Sequence, residues 1–168
     1  MTALLREPSQ LLTRESPRQI IYEDFNIDLP IAGGWGYDLD TACVINKYDS
    51  MVNPNMPFDG VGIEYLFVEK RIYEEMIIFR QSDEKYSGIR WDLEKQELIS
   101  RDDRRYDKLV FSVLGFSDAA WSEITDRFEA IQKSGELEKM VELDRHRESK
   151  AYRFKREFYF EITSFYGT

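Results

Sequence analysis

One cysteine, Cys43, and one histidine, His146, in 168 residues leave few ways to build reactive chemistry. Imidazole is the usual general base near neutral pH, and thiolates and imidazoles hold most protein-bound zinc. Zinc fingers, multi-histidine zinc centres and structural disulfides are therefore excluded. Chemistry would fall to carboxylates, tyrosine, lysine or arginine, or to a pairing of Cys43 with His146. Long apolar runs are also missing, since none reaches the ~18 residues that cross a bilayer. Residues 1–18 lack the basic start and long apolar stretch of a secretory leader. A chain of this kind, with a single thiol, is expected in the cytoplasm. Positive charge is in deficit as well: 23 Lys and Arg against 32 Asp and Glu give a formal charge of -9. That field repels phosphate backbones and anionic membranes and attracts basic partners, so the expected partner is a basic protein rather than nucleic acid or membrane.

Core-forming residues are plentiful. Hydrophobic side chains make up 42% of the chain and aromatics 14%, enough to rule out disorder despite 33% charged residues. A domain of this length buries roughly 70% of its unfolded surface and folds without staples.

Residues 1–18 mix Pro, Ser and charge with short apolar pairs and read as a loosely attached arm; residues 19–168 read as one domain. Ile21, Phe25, Ile27, Leu29 and Ile31 alternate with polar residues, predicting a half-buried strand over 19–31. Gly33-Gly34-Trp35-Gly36-Tyr37 then forms a tight turn or a recognition loop, followed by a short element over 39–45 and an irregular stretch over 46–58. Asp59 caps a predicted helix in which Val61, Tyr65, Val68 and Ile72 recur at helical spacing, with a short buried strand over 76–79 after it. Segments 89–93 and 97–100 predict a hairpin turning at 94–96, and 109–116 a central strand. Ser117 opens a helix with the stripe Trp121, Ile124, Phe128 and Ile131, ended by Gly135. A partly helical charged segment over 136–149 and an aromatic strand over 152–165 complete the chain. The predicted class is α+β: a single domain with a mostly antiparallel sheet and helices packed on one face.

Several residue sets bear on chemistry. Asp38 and Asp40 could offer two carboxylates to a divalent cation or act in a hydrolase, but the same spacing suits a helix cap and first-turn acid. Asp83-Glu84-Lys85 holds half of a nuclease-like metal centre within a polar turn. The pairs Glu23/Asp24, Glu74/Glu75 and Asp102/Asp103 read as surface charge. The basic, aromatic segment from Arg145 to Arg156 could track a nucleic-acid strand, though internal pairing with the acidic surface fits the overall charge better. Trp35 and Tyr37 on a glycine-rich turn have the form of interface anchors, and Trp35 could equally close one end of the core.

Gly33-Gly34-Trp35-Gly36-Tyr37, followed by Asp40-Thr41-Ala42-Cys43-Val44-Ile45 and Asp59-Gly60-Val61-Gly62-Ile63-Glu64-Tyr65, resembles the small bacterial immunity proteins that accompany secreted or contact-delivered toxins. The resemblance implies an acidic α+β protein without catalytic residues or cofactors that neutralises a cognate basic toxin by capping its active site. Trp35, Tyr37, Asp38 and Asp40 would contact that partner. A hydrolase built on Asp38 and Asp40, metal-dependent or not, and a homodimeric structural or adaptor protein using the aromatic final strand remain as alternatives.

Overall fold

Ser16 and Pro17 set the first element. In the computed structural model, which describes residues 5–167, the Ser16 hydroxyl accepts a hydrogen bond from the Gln19 amide and Pro17 occupies the first helical position. Helix α1 (Pro17–Phe25) follows and stops where Asn26 turns left-handed at φ 56°. The strand predicted over 19–31 is thus corrected. Ile21 and Phe25 lie one helical turn apart, and only Ile31 joins a strand, β1 (Ile31–Gly33). A capping serine followed by proline outweighed the apparent alternation.

The chain continues through β2 (Cys43–Ile45), α2 (Gly60–Tyr73), a π-helical turn (Glu74–Ile78), β3 (Tyr86–Arg101), β4 (Arg104–Ser117), α3 (Asp118–Ser134), a 3₁₀ turn (Leu137–Lys139), α4 (Met140–Lys150) and β5 (Tyr152–Glu161). Asp59 caps α2 through a 2.9 Å bond from the Gly62 amide, and Ser117 caps α3 through the Ala120 amide. The buried strand expected over 76–79 is instead the π turn, closed by the Phe79 amide on the Glu74 carbonyl. The hairpin expected to turn at 94–96 is one long strand, and the turn falls at Asp102–Asp103, where Asp102 adopts φ 55°.

The five strands run in the order β1-β2-β5-β4-β3, with β2 and β5 parallel and every other pair antiparallel. This is a single α+β domain around a mostly antiparallel sheet. The inner face carries Ile31, Cys43, Ile45, Leu109, Phe111, Val113, Phe158 and Phe160, packed with Ile21 of α1 and Phe67, Val68 and Ile72 of α2. Leu114 and Phe116 alternate to the other side of β4 and join Ile124, Ile131 and Leu143 in a smaller core that holds α3 and α4 at one end of the sheet. Two side chains mark how closely these layers meet. A Cβ on Gly88, at φ +59°, would lie 2.4 Å from the Trp121 ring, and one on Gly60 2.3 Å from Phe165.

The arm is tied down. Residues 5–16 have no regular helix or strand, yet Leu5 and Leu11 are buried in the inner core. Arg156 of β5 reaches Glu7 and the Pro8 carbonyl, and the Tyr86 hydroxyl donates to the Arg6 carbonyl. Residues 1–4 lie outside the described residues.

Candidate functional site

Of the four residues singled out by the sequence, Trp35, Tyr37 and Asp38 line one groove and Asp40 does not, and their roles differ. Gly36 adopts φ +83°, and its carbonyl accepts from the Tyr159 amide, so the loop after β1 is held against β5. This backbone path sends Trp35 inward. Its ring is 5% exposed and packs 6.0 Å from Phe67, and its indole Nε1 donates to Thr13 Oγ1 at 3.0 Å. Tyr37 is half-buried; its hydroxyl accepts from the Leu11 amide at 2.9 Å and donates to Glu75 at 3.2 Å. Burial holds that hydroxyl protonated well above the usual tyrosine range. Both rings therefore build the floor on which the arm lies, rather than free anchors.

Asp38 is exposed and accepts from the Thr41 amide at 2.7 Å and from its hydroxyl at 2.9 Å, contacts that hold its pKa below the ordinary carboxylate value. Asp40, also exposed, lies 3.1 Å from Arg101 at the end of β3. One carboxylate caps a turn and the other is ion-paired, so the two are not gathered on a common point. Among the described residues no three His, Cys, Asp or Glu side chains are grouped to hold a metal.

Between the loop and the arm lies an open groove of about 440 Å³, lined by Gln10, Leu12, Arg14, Trp35, Tyr37 and Asp38 among others. Leu12 is 94% exposed, although its neighbour Leu11 is 7% exposed. The arm is anchored on both sides of Leu12, through the Leu11 amide and Thr13. An apolar side chain is thereby presented to solvent on fixed backbone, beside an ionised carboxylate.

Under the floor sits a charged cluster that the sequence reading did not find. The Arg71 guanidinium is fully buried between the rings of Tyr37 and Phe158, 4.1 and 3.7 Å from their centroids. It donates to the carbonyls of Trp35 (3.1 Å), Gly36 (3.3 Å) and Glu157 (2.8 Å). Glu75 lies 3.6 Å from Arg71 Nε and 3.3 Å from Arg156 Nε. Burial lowers the Arg71 pKa, and the Glu75 charge opposes that shift.

Two further carboxyls are buried beside other acids. Glu64 of α2, 1% exposed, faces Asp107 of β4, and burial together with Asp107 pushes its pKa up to about 8. Glu74 in the π turn, fully buried, faces Asp24 of α1, and burial together with Asp24 raises it to about 9. The expectation that Glu74/Glu75 is surface charge is corrected. The π turn takes up an extra residue, and both side chains stay inside. A signal was present, because positions 64, 68, 71, 72 and 75 share one helical stripe with the apolar residues.

The sign of the pH effect follows. Between about pH 4.5 and 9 the folded chain holds protons on Glu64 and Glu74 that the unfolded chain has released, so stability falls as pH rises through that window. Glu64→Gln and Glu74→Gln are expected to flatten the dependence of the thermal midpoint on pH. An unchanged slope in both variants would refute the assignment.

The other sequence candidates are dispersed. Cys43 is fully buried in β2, where desolvation pushes its thiol pKa well up, and His146 Nε2 on α4 lies 3.1 Å from Glu123, so the two are not brought together. Asp83-Glu84-Lys85 lies in the turn before β3. Four cations of the basic C-terminal segment are internally paired: Arg147 with Asp144, Arg153 with Glu148, Lys155 with Glu94, and Arg156 with Glu7 and Glu75. Compared with known proteins, the chain matches no family model, no curated protein and no solved structure.

Proposed function

We propose that this chain is a binding protein that docks a basic protein partner in the groove between its arm and the Gly33–Tyr37 loop, and that it neutralises that partner in the manner of an immunity protein. The observation that carries this reading is Leu12, 94% exposed between Leu11, whose amide donates to Tyr37, and Thr13, whose hydroxyl accepts from Trp35. Ordering an apolar side chain in water lowers the later entropic penalty of docking, as a preorganised anchor does. Arg14 and Asp38 balance each other in the groove lining, and the formal charge of -9 on the chain as a whole favours a cationic partner and speeds its encounter. Trp35 and Tyr37 act by holding this surface in place, and Asp38 and Asp40 by their charge. A toxin whose substrate groove is basic is the partner class that the sequence resemblance suggests.

Leu12→Asp tests this directly, because the side chain makes little contact with the fold and its loss leaves stability nearly unchanged. Affinity chromatography from native lysate at low and high salt, followed by mass spectrometry, should retain a basic protein on the wild type whose activity is inhibited on binding. The variant should lose that protein, with about tenfold or greater weakening if Leu12 is central to the contact. Equal retention by both would overturn the reading. The hydrolase alternative predicts stabilisation by Mg²⁺ or Ca²⁺ in a thermal shift; with Asp38 and Asp40 engaged separately, no such shift is expected.

A further inference from the structure

Strand β3 forms one edge of the sheet and is 16 residues long, with its outward backbone groups unpaired among the described residues. Beside it on the inner face lies an apolar shelf. Leu93 pairs with Phe111 across the β3–β4 ladder, the Tyr65 ring meets Phe111 edge-on at 6.2 Å, and Val61 is one helical turn before Tyr65. Val61, Tyr65, Leu93 and Leu98 are each between 40% and 55% exposed. An unpaired edge flanked by exposed apolar side chains is a template for adding a strand.

Charge selects the occupant. The protein as a whole carries -9, so two copies repel in general. Strand β3 is different: Arg90, Lys95 and Arg101 balance Asp92, Glu94 and Glu97, three cations against three anions. Antiparallel pairing of β3 with itself about a two-fold axis through Gln96 places Lys95 of each copy opposite Glu97 of the other. Opposite charges facing across a ladder are the favourable cross-strand arrangement. A two-fold axis perpendicular to the sheet keeps like faces together, so the two apolar shelves lie on one side of the joined sheet and the Lys95/Glu97 pairs on the other.

We propose that β3 is a self-association surface, through which two copies join their sheets edge to edge in a symmetric dimer. The bulge between Leu93 and Lys95 limits the ladder, so the dimer dissociates at low concentration. The residues that line the groove at the arm are not among those of β3.

Sedimentation equilibrium across micromolar concentrations tests the proposal. The wild type should approach twice the 20.0 kDa chain mass as concentration rises. Lys95→Glu and Glu97→Lys each turn two attractive cross-strand contacts into repulsive ones and should raise the dissociation constant roughly tenfold or more. The double variant Lys95→Glu/Glu97→Lys restores opposite charges and should recover the dimer. Because the two side chains are exposed and pair with each other within the chain, the single variants should still fold, and circular dichroism checks that. A wild type that stays monomeric throughout, single variants that dimerise as well as the wild type, or a double variant that fails to recover the dimer would each overturn the proposal.

Discussion

Replacing Arg71 with alanine is expected to destabilise the fold by about 4 kcal/mol or more, a large share of the roughly 5–15 kcal/mol that holds a domain folded. Among the described residues the guanidinium is the only donor to the Trp35 carbonyl, and it also serves those of Gly36 and Glu157. Removing it strands the Trp35 carbonyl, leaves the Gly36 carbonyl with the Tyr159 amide alone, and opens a cavity between Tyr37 and Phe158. Arg71→Lys should recover only part of the loss. An ammonium retains the charge beside Glu75 but lacks the planar fork that reaches three carbonyls and stacks between two rings. Chemical denaturation of both variants decides the matter: a loss below about 1 kcal/mol for Arg71→Ala would mean that the cluster is peripheral to stability.

Trp35→Ala comes next in size, with an expected loss of about 3–5 kcal/mol from an indole that is nearly fully buried against Phe67. It should also free the arm, because the bond to Thr13 goes with the indole. Limited proteolysis should then cut within residues 5–16 faster than in the wild type. Trp35→Phe keeps most of the packing and removes only the N–H, so its loss should be near 1 kcal/mol. If Trp35→Ala instead left stability intact and abolished partner binding, the indole would be a free contact residue, contrary to its burial.

What was readable in the sequence tracks how local each determinant is. Helix α3 carries its own limits, a capping Ser117 and a terminating Gly135, and both act as the sequence predicts. The α+β class follows from alternating and helical apolar periods. The hairpin turn was misplaced because Glu94, Lys95 and Gln96 are polar for a different reason: they sit on an exposed edge strand and do not need to turn. At the groove, the glycine-rich loop was identified, but the inward direction of Trp35 depends on the Gly36 backbone meeting Tyr159, a contact across 123 positions of sequence. In the sequence Glu74 and Glu75 read as surface charge, and Arg71 and Glu64 as ordinary helix positions, because charge on a helix ordinarily faces water. Beyond the apolar stripe that positions 64, 71 and 75 share, their tertiary partners, Asp107, Asp24, Arg156 and three distant carbonyls, show that they do not.

The position of β5 bears on how the chain assembles during synthesis. It follows the other four strands in the polypeptide yet lies between β2 and β4. While a ribosome is still making residues 118–151, the β3–β4 hairpin can form, but β1 and β2 have nothing to join, and both β2 and β4 display bare edges. Insertion of β5 closes the gap, and its Arg156 then captures Glu7 and Pro8, which emerged almost 150 residues earlier. Such sequence-remote closure is slow, and the incomplete intermediate exposes sticky strand edges. Nascent chains halted before Tyr152 should therefore recruit holdase chaperones, and release of β5 should end that dependence.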